Sequence, residues 1–261
     1  MIATLRRILY EHRVRLPLIL AFALGWGYLI VFFYAHADVT TQTNFGPAQV
    51  RTALRIFGGN WLAIWVGLGA GHPLLLAVAS VLGTGTAVRS VAGELEGGTL
   101  ELVLSRPLAR LRHLGAYIVF LLATLSLTAI AYTLGSWLAW QTEHPSPGTL
   151  SAESLSLVAV YTSLLFLAIG GIGLACSACV RERGKALGLA LGLTIGMYAW
   201  NFLASLSTTL APSTVVSLWH WFNPAPVAGG AGLPVADIAV LGGVAAVSTA
   251  AAVLQFLRRD L

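Results

Sequence analysis

Six long apolar runs, with no Asp, Glu, Lys or Arg in their cores, constrain this chain more than any other feature. They fall at about residues 16–35, 61–88, 114–140, 155–180, 186–206 and 236–257. About twenty consecutive apolar residues are enough to cross the hydrocarbon of a bilayer as a helix. A segment in lipid must pair its own backbone groups, and of the two solutions, helix or closed barrel, runs of this length without alternation select the helix. Charged residues make up 10% of the 261 positions, against roughly 25% in soluble domains. The expectation is an all-α integral membrane protein, residues 1–261 forming a single transmembrane domain of six helices. Ala35-His36-Ala37 has the form of a signal-peptide cleavage site. The run before it is too long for an h-region of roughly 7–15 residues, and five more runs follow, so it reads as a first span.

Charge sets the orientation. Of the fifteen Lys and Arg residues, four lie before the first run, four between the second and third, three at 181–185 and two in the tail, leaving Arg51 and Arg55 alone on the other side. The positive-inside rule then puts both termini in the cytoplasm. The net charge of +5 does not imply nucleic acid, because the basic residues sit in short clusters with no basic face or RNA-binding motif. Within residues 1–15, Leu5, Ile8 and Leu9 recur at helical spacing among Arg6, Arg7, Arg13 and Arg15, which predicts a basic amphipathic helix on the cytoplasmic leaflet, in contact with membrane lipids.

Between the runs, Val50, Leu54 and Phe57 share a face opposite Arg51 and Arg55, as in a short exterior amphipathic helix. The second run is interrupted by Gly67-Leu68-Gly69-Ala70-Gly71-His72-Pro73, and Pro73 should break the helix near mid-span. His72 beside that break either touches substrate or bonds a freed backbone carbonyl. The fifth run carries Gly184, Gly188, Gly192 and Gly196 at four-residue spacing, a flat ridge suited to packing within the chain, to a dimer contact or to a cavity wall. The candidate cavity or dimer face is therefore His72, Pro73, Gly188, Gly192, Gly196 and Asn201. Residues 207–235 form a long exterior segment with Trp219, Trp221 and Phe222 as interfacial aromatics.

Two weaker patterns point nowhere. Cys176-Ser177-Ala178-Cys179 is one isolated CxxC inside an apolar helix, better read as small-residue packing than as a metal or redox site. His36, His144 and His220 come from different exterior loops and read as unrelated surface residues. No metal site is expected.

The charged island at 93–110 has a clearer grammar. Gly97 and Gly98 end the preceding helix, and Thr99 is placed to cap the next, with Glu101 near its positive end. Leu100, Val103 and Leu104 share one face, and Pro107 stops the helix. Spacing alone allows either a short stiff helix at the membrane surface or an ordinary polar connection. Glu94-x-Glu96-x-Gly98-Thr99-Leu100-Glu101-Leu102-x-Leu104-Ser105-x-Pro107-x-x-Arg110 resembles the cytoplasmic loop between the second and third helices of type-2 ATP-binding-cassette (ABC) transporter permeases, and Trp221-Phe222-Asn223-Pro224 resembles the aromatic-Asn-Pro segment before their last helix. The resemblance implies that the 89–113 loop carries a coupling helix docking on a separate P-loop ATPase subunit. Glu94, Glu96 and Glu101 would meet basic groups of that subunit, Leu100 and Leu104 would fill its groove, and Gly98, Thr99, Ser105, Pro107 and Arg110 would shape the helix. It also implies that the N-terminal helix is an interface helix, that the second and fifth helices line the cavity of a dimer, and that the usual direction is export.

No Gly-x-x-x-x-Gly-Lys-Ser/Thr occurs, since Gly184-Lys185-Ala186 lacks the loop and the hydroxyl. Without intramembrane charges, self-powered carriage is also disfavoured. The chain is thus expected to be no enzyme and to hold no cofactor, with ATP and Mg on two copies of a partner ATPase. A second permease chain would make a homodimer in the cell (inner or plasma) membrane. An uncharged lining favours apolar or amphipathic cargo. The alternatives are a non-transporting scaffold that passes a mechanical signal, and a polytopic membrane enzyme, for which no HExxH, carboxylate pair or Ser/His/Asp spacing is present.

Overall fold

The chain begins with a short helix, Ile2–Glu11, and continues through six long ones: Arg15–His36, Trp61–Glu96, Arg110–Glu143, Ala152–Cys179, Arg183–Ser205 and Val235–Arg258. The computed structural model describes residues 1–36, 60–98, 109–145 and 149–259, and no strand occurs among them. These helices match the six apolar runs and extend past several of them, because an interfacial backbone still needs pairing. The amphipathic helix expected around Val50 lies outside the described residues.

The N-terminal helix uses its apolar stripe as the spacing predicts. Ile8 is fully buried against Ala116, Tyr117 and Phe120 of the third span, with Leu5 beside it. Leu9, Tyr10, Arg6 and Arg13 face outward. The fourth span is the most enclosed, packing on the second, third, fifth and sixth.

The first and third spans approach through paired glycines. A Cβ on Gly27 would strike the Tyr132 carbonyl, and one on Gly135 would strike the Leu24 carbonyl. Removing both side chains lets the two backbones touch. Ser136 Oγ then reaches the Gly27 carbonyl at 3.3 Å, and the buried Tyr132 hydroxyl donates to the Val66 carbonyl of the second span at 2.5 Å.

The second span is broken where Pro73 demands it. One helical piece runs Trp61–Ala70 and the next starts with Pro73 in its first turn, where a missing N–H costs nothing. The His72 ring does not bond a freed carbonyl. Its Nδ1 accepts the Leu74 N–H at 3.2 Å as the cap of the second piece. The freed Gly69 carbonyl accepts the Trp26 indole N–H at 3.1 Å and the His72 backbone N–H at 3.3 Å, and the Trp26 and His72 rings lie 4.7 Å apart.

The 207–235 segment is more than an aromatic belt. After 3-10 turns at Ala211–Val216 and Leu218–Trp221, helix Pro224–Ala228 buries Pro224, Ala225, Val227 and Ala228. Ala225 sits directly over Gly67, leaving no room there for a Cβ. Tyr161 of the fourth span fastens this fold: its hydroxyl lies 2.7 Å from the Trp221 carbonyl and 2.6 Å from Asp237, and accepts the Asn223 N–H at 3.1 Å. Asp237 thus stands in the first turn of the sixth span, at its exterior mouth, rather than in the membrane core.

Candidate functional site

Below the Pro73 break, a half-open cavity of about 270 Å³ lies between the second and fifth spans. Leu76 and Ser80 line it from the second span, Leu191, Thr194 and Tyr198 from the fifth, and Trp219 and Pro73 close the exterior end. No charged residue lines it. The Thr194 hydroxyl donates to the Ala190 carbonyl of its own helix at 2.8 Å. Tyr198 meets Trp219 edge to face at 5.6 Å, and Ser217 Oγ donates to the Met197 carbonyl at 2.9 Å, fixing the exterior fold to the fifth span. Two larger apolar grooves, about 640 and 450 Å³, run along the third and fourth spans and beside the sixth. They too have no charged lining residue, but neither adjoins the Pro73 break.

Of the residues proposed for a cavity or dimer face, Pro73 lines the cavity, and His72 adjoins it but turns to Trp26. Among the described residues nothing packs on Gly188, Gly192 or Gly196: a Cβ on any of them meets nothing within 4 Å. Their ridge is open, and the cavity wall is made by Leu191, Thr194 and Tyr198 on a neighbouring face. Asn201 is half-buried at the exterior end of the fifth span, outside the cavity lining.

At its C-terminal end, the second span stops as its glycines dictate. Gly97 N–H bonds the Gly93 carbonyl and Gly98 N–H the Leu95 carbonyl, both at 3.1 Å, with Gly98 in the left-handed region at φ +64°. Thr99, Leu100, Glu101, Leu104, Ser105 and Pro107 lie outside the described residues. The flanking candidates are described, and each is bound to another part of the chain.

Glu94, 3% exposed, is turned inward and does not present its carboxylate at the surface. Arg7 of the N-terminal helix donates Nη2–H to its Oε1, and the Tyr117 hydroxyl donates to the same oxygen at 3.1 Å. Burial works against the charge on Arg7, but Glu94, with Tyr117 and Glu11, holds its pKa above the ordinary arginine value. Glu11 extends the network, lying 3.5 Å from Arg7 Nε and 3.2 Å from Arg89. Glu96 is exposed, and its Oε2 accepts the Arg183 backbone N–H at 2.7 Å. That places a carboxylate on the positive N-terminus of the fifth span. Arg110 donates to the Arg259 carbonyl at 3.1 Å, closing the C-terminal end of the sixth span, while Arg259 reaches back to the Ala178 carbonyl at 3.0 Å.

One element has no sequence signal. Residues Arg89–Gly93 form a π-helical turn between two α-helical pieces, and the side chains that satisfy it come from elsewhere. His113 donates Nε2–H to the Ser90 carbonyl at 3.0 Å, and the buried Ser177 bonds the Val88 carbonyl and the Ala92 N–H. The CxxC is otherwise inert, with Cys176 buried and Cys179 exposed. His36 bonds the Phe32 carbonyl and His220 bonds Thr214, and no group of metal-binding side chains gathers among the described residues.

Comparison with curated proteins gives no match. A family comparison does: residues 29–261, from the middle of the first span onward, match the family described as ABC-2 family transporter protein. A match over so much of the chain makes it a member of that family, a multi-pass membrane protein serving as the permease subunit of an ABC transporter.

Proposed function

We propose that two copies of this chain form the translocation path of an ATP-driven exporter in the cell membrane, with both termini cytoplasmic and two copies of a separate P-loop ATPase bound beneath. The chain itself holds no cofactor; ATP and Mg belong to the partner. The observation that carries this reading is the Glu96–Arg183 bond. The loop root is the end of the second span, and through Glu96 it is also fastened to the start of the fifth. Those two spans are the walls of the uncharged cavity. A push on the loop by the ATPase would therefore move both walls together, and the Arg7–Glu94 contact would carry the N-terminal helix with them. Thr99, Leu100, Glu101, Leu104, Ser105 and Pro107 are proposed as the surface that receives the push, and the open Gly188, Gly192 and Gly196 ridge as the face toward the second copy.

The test is co-purification from native membranes in mild detergent, with intact-complex mass spectrometry. Two copies of this chain with two P-loop ATPase chains is the expected result. Recovery of the chain alone, after gentle extraction, would overturn the coupling assignment. Filling the cavity with Thr194→Trp should then stop export while ATP hydrolysis continues; unchanged export would remove this cavity from the translocation path, and ATP hydrolysis with no export by the unaltered complex would return the chain to the scaffold alternative.

A further inference from the structure

We propose that Ser177 is a positioning residue for coupling: its hydroxyl, wedged into the backbone of the second span, sets the angle at which the loop root leaves the membrane. In an α-helix the Ala92 N–H would bond the Val88 carbonyl directly. Here Ser177 Oγ stands between them, donating to the Val88 carbonyl at 2.8 Å and accepting the Ala92 N–H at 3.0 Å. The wedge is fully buried, and an inserted side chain of this kind is a recognised cause of a local break in the helical ladder. The fourth span can bring it this close because Gly173, one turn earlier, rests against Thr84 and Ala87 with no side chain of its own.

The consequence is a register shift. A π-helical turn accommodates one residue more than the α-helical ladder around it, and one residue is about 100° of rotation. Without the wedge, closing the Val88–Ala92 bond would turn every later residue by that angle. Glu94 would leave Arg7 and Tyr117, and Glu96 would leave the Arg183 N–H. One hydroxyl therefore aims two carboxylates and the loop that follows them. The inference rests on the coupling role proposed above.

The experiment exploits the extra residue. Ser177→Ala should loosen the root, lowering ATP-dependent activity of the complex about tenfold, the scale set by two lost buried hydrogen bonds. Deleting Ala92 removes the residue that the π-turn accommodates, so the deletion combined with Ser177→Ala should restore both the thermal midpoint of the chain in detergent and the activity of the complex. The deletion with Ser177 in place should be impaired, and Ser177→Thr, which keeps the hydroxyl, should retain activity. A serine that only adds stability predicts additive damage from the two changes. Additive damage, or loss of Ser177→Ala from the membrane without rescue by the deletion, would overturn the assignment. The thermal midpoint is read on the chain alone. Rescue there with no ATPase recovered on the unaltered chain would leave the register role standing and remove the coupling assignment; an ATPase recovered without rescue would do the reverse.

Discussion

Arg7 and Glu94, 87 residues apart in sequence, meet in a part-buried charge-assisted hydrogen bond that joins the N-terminal helix to the last turn of the second span. Glu94 is almost fully enclosed, whereas Arg7 keeps part of its side chain in solvent. The two are therefore not equivalent partners. Taking the charge from a buried carboxylate's partner costs about 3 kcal/mol, while replacing both with apolar groups of similar size is often close to neutral.

Arg7→Met should accordingly destabilise the chain by about 3 kcal/mol, and Arg7→Met with Glu94→Leu by clearly less. A double-mutant cycle on thermal or denaturant unfolding in detergent reads the difference as a coupling of more than about 1 kcal/mol. Simple additivity would show that the pair is held by its surroundings.

Glu96 makes a smaller, more specific prediction. Its carboxylate caps the first turn of the fifth span from another helix, and losing a cap costs about 1 kcal/mol. Glu96→Ala should raise amide hydrogen exchange at residues 183–186 and reduce ATP-driven transport. Glu96→Gln keeps an acceptor oxygen and should stay nearer the unaltered chain. Equal behaviour of the two variants would assign the effect to charge alone.

Much of this architecture is legible in the sequence, and the reasons are local. Apolar run length fixes the six spans, Pro73 fixes the break, and Gly97-Gly98 fixes the end of the second span, because each acts within a turn of its own position. The inward turn of Glu94 is not legible. Its neighbours in the chain mark it as part of an acidic surface loop, and only the packing of Ile8 on Tyr117 brings Arg7 to it. The π-turn is hidden for the same reason: Arg89–Gly93 contains nothing unusual, and the hydroxyl that sustains it arrives from residue 177. The Gly184–Gly196 spacing raises the opposite problem. It marks a flat ridge without naming what lies on it, and among the described residues nothing does.

The paired glycines of the first and third spans yield a prediction with an internal control. Gly135→Ala would drive a methyl into the Leu24 carbonyl, and neither backbone has room to retreat while Ser136 and Tyr132 hold their partners. A loss of about 2 kcal/mol is expected, the usual scale of overpacking. Gly25→Ala, on the first span but facing open space, should be neutral or slightly stabilising through helix propensity. Unfolding in detergent by graded SDS compares the two directly; equal loss would mean that the close approach is not maintained in solution.

Tyr161 holds the exterior fold at the one point where three segments converge. Its hydroxyl joins the Trp221 carbonyl, the Asn223 N–H and the Asp237 carboxylate, so Tyr161→Phe leaves three polar groups to find new partners while changing the ring packing on Phe222 very little. A cost of about 2 kcal/mol follows from unsatisfied groups at a partly buried site. The damage should be local. The Pro224–Ala228 helix would lose its hold over Gly67, and Trp219 would loosen at the mouth of the cavity, so tryptophan fluorescence should shift to longer wavelength with the six spans intact by circular dichroism. Asp237→Asn removes the charge but retains an acceptor for the same hydroxyl, and should show the smaller shift. A Tyr161→Phe spectrum that overlays the parent would mean that the apolar burial of Pro224, Ala225 and Val227 holds the fold unaided.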